Sequence, residues 1–304
     1  MTAVTGGSYL HRHGVDTAAA KHAGELAERL HSGLPLRLAL FTTCLVDGLF
    51  PETGRSTVQL LERLGHRVEF PLVQTCCGQA HTNTGYFDEV VPLVERYVHT
   101  FAGYDAVVVP SGSCTASIRH QHAMVAREAG KAALAEAAER VAGKTFELSQ
   151  FLIDVLGTDD VGAYFPHRVT YHPTCHSLRL LHVGDRPLRL LRKVKGLELV
   201  ELPAADECCG FGGTFALKNP EVSTAMLADK MREVLDTGAE VVCAGDRSCL
   251  MHIAGGLSRV HSGVRAVHLA DILASVETAH EHPRPVTTRG YDAAGLPIDR
   301  EQTR

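Results

Sequence analysis

No stretch of the sequence approaches the roughly 18 to 20 consecutive apolar residues needed to span a bilayer, and Met1 to Val15 lacks the apolar centre of a secretion signal. No long basic run occurs. A net charge of -5 and a pI near 6.4 provide no field to gather phosphate backbones, so nucleic acid is not an expected partner. The glycine-rich pieces Gly210 to Gly213 and Gly255-Gly256 lack the strand, Gly-x-Gly-x-x-Gly and helix order of a dinucleotide site. Bound nicotinamide or flavin is therefore not expected. These absences point to a cytoplasmic protein with no integral membrane segment. In that compartment thiols are kept reduced, and a cysteine framework favours metal or redox chemistry over structural disulfides.

Cysteine is what the sequence does have, in a repeated order. Thr75-Cys76-Cys77-Gly78 recurs as Glu207-Cys208-Cys209-Gly210. A lone cysteine precedes each pair, 32 residues ahead for Cys44 and 33 for Cys175, and another follows, 37 residues on for Cys114 and 40 for Cys249. Eight of the nine cysteines thus fall into two sets of one order. The ninth, Cys243, has no counterpart in the first half and reads as a small buried hydrophobe.

The elements around the cysteines repeat too. A helix from Asp16 to His31 is expected first, with Asp16 as its cap and Ser32-Gly33 as its end. Strands are expected at 36–42, 66–73, 106–109 and 144–148, separated by helices at 52–64 and 87–101 and by alanine-rich helical sequence from Cys114 to about Ala142. A helix at 150–156 closes the set. The second half offers strands at 168–171, 197–202, 239–242 and 264–269, with helices at 187–194, after Asn219-Pro220, and running to about Val276. The expected fold is α/β, with two pseudo-twofold-related halves, each a small parallel sheet flanked by helices. Residues 1–33 read as an N-terminal helical extension, 34–157 and 158–276 as two cysteine-rich domains, and 277–304 as a mobile tail.

In parallel sheets ligand sites gather at the carboxyl ends of the strands, and there both cysteine sets fall. Four converging thiolates repel one another unless a cation compensates. A metal centre supplies that compensation, which makes Cys44, Cys76, Cys77 and Cys114, with Cys175, Cys208, Cys209 and Cys249, the candidate ligands. Tetrahedral zinc, a 4Fe-4S cluster and metal-free redox thiols all use such residues. Zinc ligands are commonly two to four residues apart, whereas vicinal cysteines sit more naturally on different irons of a larger cluster. His81, His172, His176 and His252 lie near cysteines as candidate hydrogen-bond donors or proton relays.

The strings FTTCLVDGLFPETG (41–54), TCCGQ (75–79), VVPSGSC (108–114) and ELPAADECCGFGGTFALKNPEVS (201–223) resemble the lactate utilisation protein A family, over about Leu36 to Val276. That family is related to the cysteine-rich component of heterodisulfide reductase and to the iron-sulfur component of glycolate oxidase. The resemblance implies an iron-sulfur electron-transfer subunit of an L-lactate-oxidising system. It also implies two partners, a ferredoxin-like 4Fe-4S protein and a third small subunit, with one cluster per half or one shared. In the heterodisulfide reductase branch each half ends in Cys-x-x-Cys and five cysteines can hold a noncubane cluster. Here Ser111 and Asp246 occupy the first of those positions, which weighs against a thiol or disulfide reductase, the alternative enzymatic reading. A zinc-stapled scaffold is the remaining one.

Overall fold

The computed structural model describes residues 7–277 and two short strands beyond them, Gly290–Tyr291 and Pro297–Ile298, which pair antiparallel. The rest of the expected mobile tail lies outside the described residues. The first half runs α1 (Gly7–His31), β1 (Leu38–Leu40), α2 (Cys44–Leu49), α3 (Pro51–Arg63), β2 (Val68–Glu69), α4 (Gln79–Thr82), α5 (Phe87–Phe101), β3 (Ala106–Val109), α6 (Gly112–His120), α7 (His122–Glu128), α8 (Ala132–Ala142), β4 (Thr145–Glu147) and α9 (Leu148–Gln150), which continues as a π-helical turn, Phe151–Val155. The second runs β5 (Arg168–His172), α10 (Cys175–Arg179), α11 (Arg186–Lys193), β6 (Glu198–Val200), α12 (Phe215–Lys218), α13 (Pro220–Asp236), β7 (Val241–Ala244), α14 (Arg247–Arg259), β8 (Arg265–His268) and α15 (Leu269–Ala274).

The two sheets have one topology. Their orders are β2-β1-β3-β4 and β6-β5-β7-β8, and every pairing in both is parallel. Packing between the halves is reciprocal: α6 lies on α10 as α14 lies on α2, and α3 lies on α15 as α11 lies on α9. Each contact becomes its partner when the halves are exchanged, as an approximate twofold axis requires. Two features break the symmetry among the described residues: α7 and α8 have no equivalent between β7 and β8, and α1 has none before β5.

Side-chain alternation along the strands divides the interior. Leu38, Ala106, Val108 and Phe146 from one sheet join Val169, Tyr171, Val241 and Cys243 from the other in a single apolar cluster. The opposite faces feed separate clusters, Ala39, Phe41, Val107 and Val109 in one and Val242 with Ala266 in the other. The halves are therefore welded through a common core, while Cys77 and Cys114 pack into the cluster on the opposite face of the first sheet and Cys209 and Cys249 into that of the second. Cys243 is fully buried on the shared side, as a small hydrophobe would be.

Helix α1 begins at Gly7, well before the start expected at Asp16. The alanine-rich stretch is broken into three helices, with Gly130 at φ +71° between α7 and α8. Helix α5 has its expected bounds and carries Pro92 inside it, one turn beyond the first.

Candidate metal centre

The same local geometry presents each set of thiols. Cys44 and Cys175 are the first residues of α2 and α10, the helices that follow the central strands. The vicinal pairs lie in the loops after β2 and β6, and Cys114 and Cys249 sit in the first turns of α6 and α14. The Sγ atoms of Cys44 and Cys76 are 3.8 Å apart and those of Cys175 and Cys208 are 4.0 Å apart. Further thiol contacts extend each chain, from Cys76 through Cys77 to Cys114 and from Cys208 through Cys209 to Cys249. All eight predicted residues are thus brought into two convergent groups of four.

Glycine makes the vicinal turns. Gly78 and Gly210 have φ of +82° and +89°, and a Cβ would fall 2.8 Å from Val90 Cγ1 in the first case and 2.6 Å from the Ser223 carbonyl oxygen in the second. Neither site admits a side chain. In return each glycine N–H donates to the sulfur two residues earlier, Gly78 to Cys76 and Gly210 to Cys208, both at 3.4 Å.

The hydrogen bond with Cys44 draws the Cys76 thiol well below its ordinary range, helped by Cys77 and the Gly78 N–H. Cys175, Cys209 and the Gly210 N–H do the same for Cys208. Cys77, Cys114, Cys209 and Cys249 are buried, whereas Cys44 is exposed and Cys76, Cys175 and Cys208 are half-buried. Each set therefore runs from solvent inward. Over the first set lies a cavity of about 250 Å³, whose far wall is made by Phe211, Thr214 and Leu217 of the second half.

The two positions that depart from Cys-x-x-Cys meet across the axis. Asp246 caps α14, its Oδ1 accepting from the Ser248 N–H and hydroxyl. Its Oδ2 reaches into the other half and accepts the Ser113 N–H at 2.8 Å and the Ser111 hydroxyl at 3.3 Å. Ser111 in turn caps α6, accepting from the Cys114 N–H. One carboxylate thus ties together the two helices that carry the last cysteine of each set. Beside it, Gly112 packs so tightly on α10 that a Cβ would overlap the Ser177 hydroxyl. Arg247 bridges the halves as well, joining Asp271 to Thr53 and Glu52.

The chain matches the cysteine-rich domain family model, CCG, twice, over residues 38–119 and 169–254. It is 43% identical to lactate utilization protein A of Bacillus subtilis (strain 168) over 240 residues, which is 79% of this chain and 100% of the relative. It is 45% identical to lactate utilization protein A of Geobacillus kaustophilus (strain HTA426) over 239 residues, 78% of this chain and 98% of that one. The chain belongs to the lactate utilization protein A family. The resemblance seen in the motifs of the sequence thus holds for most of its length. A crystal structure of a hypothetical protein from Helicobacter pylori shares the fold, with a TM-score of 0.53 at 12% identity over 79% of this chain and 48% of that one. Among the described residues, no helix is long and apolar enough to cross a membrane.

Of the four histidines singled out in this family member, two stand directly beside thiols. His176 Nδ1 is 3.4 Å from Cys175 Sγ, and its Nε2 accepts from Gln79 of the first half at 2.9 Å. One ring nitrogen of His172 and the sulfurs of Cys209 and Cys249 all lie within 4.8 Å of one another. His81 and His252 are near enough to act on the charge of Cys76 and Cys208.

His122 was not legible as a site residue, yet its Nε2 donates to the Cys77 carbonyl at 2.8 Å beneath the first vicinal pair. Nothing in the alanine-rich segment around it signals that contact. Burial pulls His122 down to about 4 and His268, whose Nδ1 caps α15 by accepting from the Ala270 N–H, down to about 3. Both folded values lie below the ordinary 6.5, so the folded chain binds fewer protons than the unfolded one. Their stabilisation is present above that value and is lost as pH falls through 4 and then 3. Each ring is expected to withdraw about 3 to 5 kcal/mol by the acid end of that window, at about 1.4 kcal/mol per unit of difference. Denaturation midpoints measured from neutral to pH 4 should fall steeply; a flat profile would show that these rings accept protons within the fold.

Proposed function

We infer that this chain is the iron-sulfur electron-carrying subunit of a multi-protein system that oxidises L-lactate to pyruvate. The observation that carries the reading is the duplicated four-thiol site in a lactate utilization protein A relative. The ligands are Cys44, Cys76, Cys77 and Cys114 in one half and Cys175, Cys208, Cys209 and Cys249 in the other. Iron-sulfur centres of the 4Fe-4S type, when bound, supply one-electron transfer. The chain's own residues hold and tune them. Gly78 and Gly210 direct N–H groups at Cys76 and Cys208 and favour their thiolate form. The buried cysteines keep water from the inner side of each site, while exposed Cys44 and half-buried Cys175 leave an edge open to a partner. The partners proposed are a ferredoxin-like 4Fe-4S protein and a third small subunit.

Asp246 and Ser111 spend their polar atoms on helix capping and on each other, which disfavours disulfide cleavage at a five-cysteine centre. One observation favours a second reading, zinc. Tetrahedral ligation with bonds of about 2.3 Å sets sulfurs about 3.8 Å apart, the separation of Cys44 and Cys76. Anaerobically purified protein is expected to contain iron and acid-labile sulfide, to absorb in the visible and to change its electron paramagnetic resonance spectrum on reduction. Zinc without sulfide would replace the electron-carrying reading with a zinc-stapled one.

A further inference from the structure

His172 ends β5 at 1% exposure, and neither of its ring nitrogens has a hydrogen-bond partner. An unpaired buried polar atom keeps its full desolvation cost, and native interiors rarely leave one so. The ring is directed at the deepest thiols of the second set, for one of its nitrogens groups with Cys209 and Cys249 Sγ. The repeat supplies the comparison. His172 stands three residues before Cys175, and the residue three before Cys44 is Phe41. Phe41 packs in the cluster that contains Cys77 and Cys114, edge-on to Tyr97 and Phe101. An apolar ring therefore satisfies packing at this position, and filling space does not call for an imidazole.

We propose that His172 donates an imidazole nitrogen to the metal centre of the second half, beside the thiolates of Cys209 and Cys249. The two centres are then chemically unlike, the first bound by sulfur alone and the second by sulfur and nitrogen. Neutral imidazole is a common ligand of iron and zinc alike, and ligation gives the orphaned ring the partner that the chain does not provide. The identity of the metal as iron rests on the iron-sulfur reading above.

The test uses full-length protein carrying Cys77→Ser, so that only the second-half centre is read, grown with ¹⁵N-labelled histidine and purified anaerobically. Pulsed electron paramagnetic resonance of the reduced protein is expected to show histidine nitrogen coupled to the iron spin. The same measurement on Cys209→Ser protein, which reports the first-half centre, should show none. Adding His172→Phe, which restores the ring found at Phe41, should abolish the coupling and make metal retention against a chelator at least about tenfold weaker. His172→Cys should recover retention. Bound iron with no histidine coupling, or equal retention in all three proteins, would overturn the proposal and leave the iron-sulfur reading standing. Zinc in place of iron would sink that reading instead, and the retention series would still decide His172.

Discussion

Cys209→Ser is expected to strip the metal from the second half and spare the first, and Cys77→Ser to do the reverse. Serine replaces a thiolate by a hard, poorly ionised hydroxyl, which binds iron weakly and leaves the remaining thiolates uncompensated. Both residues are the buried second members of the vicinal pairs, so water does not readily take the vacated place. Each variant should keep about half of the iron and lose all lactate-dependent electron flow in a reconstituted three-protein system, since a series relay fails wherever it is cut. Cys243→Ala serves as the comparison. Its side chain lies in the shared core away from either set, and the loss should be about 1 kcal/mol of packing with full iron content. Iron lost from Cys243→Ala but kept in Cys209→Ser would refute the ligand assignment. Loss of all iron in both vicinal-pair variants would mean one centre shared between the halves.

The other large effect is on stability. Asp246→Ala should lower the unfolding free energy by about 3 to 5 kcal/mol, because it removes the cap of α14 and orphans the Ser113 N–H and the Ser111 hydroxyl in the opposite half. The carboxylate is only 3% exposed, so solvent does not replace it. Asp246→Asn keeps one acceptor and should recover part of the loss. Urea unfolding followed separately by a probe in each half would settle it. A loss below about 1 kcal/mol would mean that the shared apolar core alone joins the halves.

Much of this could be read from the chain, and the failures share a cause. Helix α5 was legible to its last residue because Val90, Val91 and Val94 mark one buried face. The cysteine sets were legible because each half predicts the other. Strand β1, Leu38–Leu40, is shorter at both ends than the expected 36–42. Beyond Leu40 the Thr42 N–H turns to the Gln74 side chain, and the neighbouring β2 is only two residues long, so the ladder stops. The π-helical turn at Phe151–Val155 leaves no mark in the pattern of apolar residues. Asp246 was singled out as a departure from a motif, but its role depends on Ser111 and Ser113, more than a hundred residues away, and no local period reports such a partner. His122 and Cys77, 45 residues apart, are equally beyond the reach of any local period.

A body with an unbroken twofold would offer any docking molecule two indistinguishable ways to sit. The pair α7 and α8, present on one half alone, removes that ambiguity. A neighbour that touches this pair meets the first half, where His122 of α7 holds the Cys77 carbonyl, and finds no equivalent surface on the second. Duplication gave the chain two sites of one plan, and a helical hairpin on one half alone gave it a front and a back.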